Sequence, residues 1–196
     1  MKMKMKTIAI VVAVLTLFAG QGFCQKDSSG IYFMADDFVH HRLSLVIDCK
    51  TEKHKIKSDM LFHAKEIAIK HGDSTYIFPK DSIWGIRYCG GSVVRLYDNS
   101  AYPLINPTET ILIYKVTTGT GMKNNPTVTS YFFSKDETSK IQELTLDNIK
   151  AAFPDNHRFH DLIDMQFRND AELGLYDKMH RIMKINHVLQ ISTETK

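Results

Sequence analysis

Cysteine and histidine are the side chains in this 196-residue chain best able to carry chemistry: three of the former, nine of the latter. Cys24 ends an apolar leader, which leaves Cys49 and Cys89 as an even pair. In an oxidising compartment such a pair is a disulfide candidate. Closing a loop of about 41 residues would stabilise the fold by about 4 kcal/mol on the chain-entropy model. In LSLVIDC, Leu43, Leu45, Ile47 and Cys49 share the apolar face of a strand. In SIWGIRYC, Trp84, Ile86 and Tyr88 form the apolar set, so Cys89 falls on the other face with Arg87. Pairing therefore needs a bulge near Gly85, or the turn at Gly90-Gly91, to rotate Cys89 inward. A thiol nucleophile with a histidine base has no local support.

Histidine is the commonest protein metal ligand. His157 and His160 lie three apart, with Asp161 and Asp164 following. On a helix these four fall on one side, a set able in principle to hold Zn²⁺. The competing reading is a solvated polar face opposite Phe159, Leu162 and Ile163. His180 and His187, seven apart, lie on the apolar face of an expected helix and read as packing residues, not ligands. No HExxH is present.

Other motifs exclude more than they assign. GTGMKN (Gly119 to Asn124) starts like a dinucleotide loop, but its third glycine is replaced and a strand follows. Neither GxSxG nor SxxK occurs. Acid pairs for glycoside hydrolysis must be drawn from Asp36, Asp37, Asp48, Asp81 and Asp98, several at strand ends where aspartates serve turns. Aromatic side chains are dense in the first two thirds. Trp84, Tyr88, Tyr97 and Tyr102 would form a platform for sugar rings or small ligands if they faced solvent together. Aromatic residues also favour strands for packing alone.

The elements that position these residues are read from apolar periodicity. From about 31 to 134, short alternating runs are separated by turn signals such as HGDS (His71 to Ser74) and CGGS (Cys89 to Ser92). Strands are expected near 31–34, 43–49, 54–60, 66–70, 75–78, 82–88, 93–97, 102–105, 111–116 and 128–133. Strands so short and close imply an antiparallel meander, a sandwich or a small barrel. From about 145 to 191 the period becomes helical. Thr145 is a natural N-cap, and Pro154 stops the helix it opens. Phe159, Leu162, Ile163 and Phe167 make an apolar stripe. Asp170 is expected to cap one long helix running to about Ile191. The class is α+β, a β region capped by C-terminal helices, in a single domain spanning 25–196.

Residues 1–24 read as a secretory signal: Lys2, Lys4 and Lys6, then an apolar stretch too short to span a bilayer. Lipidation at Cys24 is disfavoured by the bulky Phe23 before it. The whole chain has 25 basic and 22 acidic residues; removing the three lysines of the signal leaves 22 of each. A neutral chain has no global field to attract polyanions, so nucleic acid is not an expected partner. No membrane span is expected after cleavage, and no cofactor is implied.

GIYFMADDF, YIFPKDSIWGIRY, VRLYDN, ILIYKV and the tail LTLDNIKAAFPDN…FHDLIDMQF…YDKMHRIMKIN together resemble small exported proteins of Bacteroidota-type bacteria that have no characterised activity. The resemblance implies export and one domain and carries no catalytic residues. The leading expectation is a non-enzymatic binding or interaction protein of the cell envelope, periplasmic or secreted, with an envelope protein or a glycan as partner. The alternatives are a glycan or small-ligand module on the aromatic face and an envelope hydrolase with a His/Asp site.

Overall fold

A computed structural model describes residues 28–52, 55–56, 65–119 and 126–194. The signal expected at 1–24, most of the strand expected at 54–60, and most of GTGMKN lie outside the described residues. An eight-stranded antiparallel sheet is followed by C-terminal helices, and the sheet does not close into a barrel.

The main sheet uses β1 (Ser28–Tyr32), β2 (Ser44–Asp48), β6 (Gly85–Arg87), β7 (Val93–Tyr97), β8 (Ser100–Leu104), β9 (Leu112–Thr118), β10 (Val128–Ser134) and β11 (Gln142–Glu143). Its order is β11-β10-β9-β8-β7-β6-β1-β2. From β6 to β11 the chain is a plain meander. β1 breaks it by lying between β2 and β6, with Gly30 opposite Arg87 and Ser28 opposite Asp48. Between β2 and β6 the chain makes an excursion, the three-stranded sheet β3 (Lys55–Ile56), β4 (Glu66–His71) and β5 (Ser74–Pro79). The HGDS turn joins β4 to β5, with His71 opposite Ser74 and Gly72 at φ 57°.

The Cys49–Cys89 disulfide closes the neck of that excursion, its Cα atoms 5.7 Å apart. Cys49 follows β2 directly, and Cys89 lies in the turn after β6. There Gly90 and Gly91 take φ of 85° and 89°, and the Gly91 N–H donates to the Tyr88 carbonyl. Only glycine adopts such angles readily.

Each face of the sheet has its own cover. Ile31, Ile86 and Leu96 pack with Ile67, Ile69 and Ile83, so the small sheet covers one end of the first face. Ile111, Ile113 and Phe133 carry the helical layer at the other end. That layer contains α2 (Leu146–Ala152), α3 (His157–Gln166) and α4 (Lys184–Thr193). Thr145 Oγ1 accepts from the Asn148 N–H at 3.2 Å, the expected cap, and α2 ends before Pro154. Phe159, Ile163 and Phe167 of the expected stripe are buried. On the second face Tyr32, Val93, Leu104, Leu112 and Tyr114 pack with Phe38, which comes from α1 (Ala35–Val39).

One expected element is different. The long helix from Asp170 is a 3-10 turn (Asp170–Glu172), then a hairpin of β12 (Tyr176–Asp177) and β13 (Ile182–Met183), then α4. Gly174 interrupts the helix where a Cβ would meet the Tyr131 ring at 3.3 Å. Asp177 Oδ1 then accepts from the N–H groups of Met179 and His180, and Arg181 turns the chain at φ 56°. Local side-chain bonds of this kind offer the backbone an alternative to the helix.

Candidate functional site

Three loops on the second face are each fixed by a polar side chain, and together they wall a cleft. The first wall is α1. The Asp37 carboxylate accepts from the Met34 N–H at 3.1 Å and binds Arg42, which also pairs with Asp36. The Arg42 guanidinium holds the Asp36 carboxyl below its ordinary range. So pinned, α1 drops Phe38 onto the Trp84 ring at a centroid distance of 4.2 Å.

The second wall is the β8–β9 loop. Buried Asn106 accepts from the Ile113 N–H at 2.6 Å and donates to the Ile111 carbonyl at 2.8 Å and to Glu109 at 3.1 Å. Both Glu109 oxygens lie 3.2 Å from the Met183 N–H at the start of α4. An acidic group suits a helix N-terminus, where backbone N–H groups lack partners.

The third wall is the β10–β11 loop. Asp136 Oδ1 accepts from the N–H and hydroxyl of Thr138 and from the Ser139 N–H, at 2.7–2.8 Å. Burial pushes this carboxyl up, but those donors outweigh it and bring it to about 2. Trp84 Nε1 donates to the Glu137 carbonyl at 2.7 Å, tying the loop to the far side of the sheet.

The cleft between these walls has a volume of about 400 Å³. Phe38, Val39 and Leu112 contribute its apolar lining, and Glu109, Glu137 and His41 are the ionisable residues along it. Among the described residues no lysine or arginine lines it. Arg95 is 3% exposed behind this face and gives its Nη donors to Tyr114, Ser134 and the Ser139 carbonyl. Among the described residues it has no carboxylate within ion-pair distance.

The residues singled out in the sequence fall in several places. Trp84 is buried under the cleft, stacked on Phe38 and faced by Arg95 at 5.4 Å, so it supports the cleft from beneath. Tyr97 also faces Arg95, at 5.6 Å, and Tyr102 packs edge-on to Tyr114 and Phe132. Tyr88 packs with the Ile31–Ile86 cluster of the opposite face, so the four do not form one platform. His157 and Asp161 are exposed. His160 Nε2 meets the carbonyls of Lys150 and Phe153 at the end of α2, and Asp164 pairs with Lys150. Cys49 and Cys89 are brought together.

Sequence reasoning missed one grouping. Asp177, His180 and His187 place their ligand atoms within 4.8 Å of one another. His180 Nδ1 lies 2.7 Å and His187 Nδ1 3.2 Å from the same oxygen, Asp177 Oδ2. The two rings are 3.8 Å apart. The hydrogen bond to His180, with the backbone donors of the hairpin, brings the Asp177 carboxyl to about 2. The seven-residue spacing of the histidines was visible; the hairpin that adds Asp177 was not, because the same residues also fit a helical period.

Among the described residues no helix is long and apolar enough to cross a membrane. No family model, curated protein or solved structure matches the chain.

Proposed function

We propose that the chain is an exported, non-enzymatic binding protein of the cell envelope, periplasmic or secreted. Its ligand is a small molecule with a cationic amine beside an apolar portion, taken up in the cleft between α1 and the β8–β9 and β10–β11 loops. The observation that carries this reading is the cleft's composition: two glutamates against one histidine, His41, and among the described residues no lysine or arginine, around Phe38 and Leu112. Its size lies in the range of small-molecule pockets, roughly 300–1,000 Å³. Three independently braced walls favour binding, because little ordering is left to be done when the ligand arrives. Both Glu109 oxygens already face protein donors, so Glu109 serves as a fixed negative charge, and a paired acid and base for hydrolysis is not the arrangement favoured. The apolar leader and the disulfide support export.

The test is equilibrium binding of aryl and alkyl amines, with neutral and carboxylate analogues and glycans as comparators. Selective binding of amines that weakens about tenfold in Glu137→Gln supports the reading. Equal binding of the comparators, or no effect of Glu137→Gln, overturns it.

A further inference from the structure

We propose that Asp177, His180 and His187 form a binding site for a divalent transition-metal ion of the zinc, copper and nickel class. This site is separate from the cleft and does not rest on it.

The three ligands come from three local structures. Asp177 is on β12, His180 is in the hairpin turn, and His187 is in the first turn of α4. Their relative placement is secured without a metal. Tyr176 pairs with Met183 and Asp177 with Ile182 across the hairpin. The Lys184 N–H donates to the Leu175 carbonyl at 2.9 Å, joining helix to hairpin. Asp177 Oδ1 is occupied by the N–H groups of Met179 and His180. The carboxylate is thereby oriented with Oδ2 toward both rings.

The spacing fits an ion. With metal–ligand bonds of about 2.0–2.2 Å, tetrahedral ligand atoms stand roughly 3.3 Å apart. The two contacts to Asp177 Oδ2, at 2.7 and 3.2 Å, fall short of that value by about 0.6 and 0.1 Å, so a small outward shift of the rings admits an ion. An ion can enter by replacing the two shared contacts on Oδ2 with bonds to itself, provided both Nδ1 atoms are unprotonated. Each neutral imidazole then carries its proton on Nε2, so binding shifts the tautomer without changing the ring's charge.

The ligand chemistry sets the class. Two imidazole nitrogens and one carboxylate suit borderline ions, whereas calcium and magnesium prefer sites made wholly of oxygen. Three protein ligands leave at least one coordination position for water or an outside ligand. The exposed setting agrees with that: the His180 side chain is 48% exposed and that of His187 23%. The site is therefore open and exchangeable, unlike a buried structural zinc site.

The experiment is calorimetric titration of Zn²⁺ into the purified protein without a polyhistidine tag. It is paired with nitrogen NMR of the histidine rings. One ion is expected per chain, with the largest shifts at Nδ1 of His180 and His187, reversed by chelator. His187→Gln and Asp177→Asn are each expected to weaken binding at least tenfold, with His160→Gln, whose ring caps α2, binding as before. The ring shifts of the unaltered protein decide the matter even where a variant fails to fold. Absence of binding at millimolar Zn²⁺, or shifts centred on other histidines, overturns the proposal.

Discussion

Asn186 grips the backbone of Ile111 from 75 residues away: its Oδ1 accepts from the Ile111 N–H at 2.8 Å, and its Nδ2 donates to the Ile111 carbonyl at 2.9 Å. Asn186 is buried on α4, and Ile111 immediately precedes β9. The pair mimics one rung of a sheet and fixes the helix to the strand end. Asn106 also reaches the Ile111 carbonyl, so only the N–H loses its sole partner when Asn186 is shortened. Asn186→Ala should therefore cost about 2–3 kcal/mol, chiefly from that orphaned donor. Asn186→Asp should cost more, since a carboxylate oxygen would replace the donor facing a carbonyl. Urea unfolding followed by the fluorescence of Trp84, the single tryptophan, measures both.

Arg95 makes a prediction of rank order. It is buried, and its acceptors are neutral: two hydroxyls and a carbonyl. Among the described residues its Nε has no hydrogen-bond partner. Arg95→Met removes the buried charge and its three bonds at similar volume; Tyr114 and Ser134 keep their bond to each other at 2.9 Å, so chiefly the Ser139 carbonyl loses a partner. Arg95→Lys keeps the charge and loses the planar fork that reaches all three acceptors. The lysine variant should be the less stable of the two by about 1–2 kcal/mol, judged from the net worth of one or two bonds. Equal melting temperatures for the pair would count against this account.

Reducing the disulfide should lower stability by up to about 4 kcal/mol, the entropy of freeing a loop of roughly 40 residues. Cys89 is exposed, so a mild reductant should suffice without prior unfolding. Denaturation curves with and without reductant, with thiol counting, give the answer. A stability unchanged on full reduction would show that the neck is held by strand pairing alone.

Acid should expose the work of Asp136. Its folded pKa, about 2, lies below the ordinary carboxylate value of 3.8. A depressed value means the charged form stabilises the fold. That contribution is complete above the ordinary value and disappears as pH falls from about 4 through 2. Asp136→Asn should flatten the melting temperature between pH 4 and 2 relative to the parent, while lowering it at neutral pH. An unchanged slope in that window would refute the assignment.

The sequence made much of this fold legible and left particular parts hidden. Alternating apolar residues marked the meander, and Thr145, Pro154 and the Phe159–Phe167 stripe marked α2 and α3. ILIY, apolar at every position, fits β9, where Leu112, Ile113 and Tyr114 are all buried because both faces are covered. The position of β1 between β2 and β6 was not legible, since local periodicity carries no information about pairing across more than 50 residues. α1 was hidden because five residues give no helical period; the helix depends on Asp37 and Arg42 closing around it. The cleft could not be read either, since Phe38, Leu112, Glu109 and Glu137 share no spacing. They meet only once the three loops are folded. The hairpin after Gly174 was masked by residues that also satisfy a helix.

The disulfide at the neck of the β3–β5 excursion has a consequence for proteolysis. A protease cutting anywhere between residues 50 and 88 severs the backbone but not the molecule, because Cys49 and Cys89 belong to opposite fragments. The cut protein should run as one species without reductant and as two with it. Among the described residues the main sheet draws no strand from that interval except β6, which stays beside β7 on the C-terminal fragment when the cut falls in the small sheet, before Lys80. Damage to the small sheet in a protease-rich surrounding would thus leave β1, with β2 at its outer edge, tethered next to β6, the strand it pairs with.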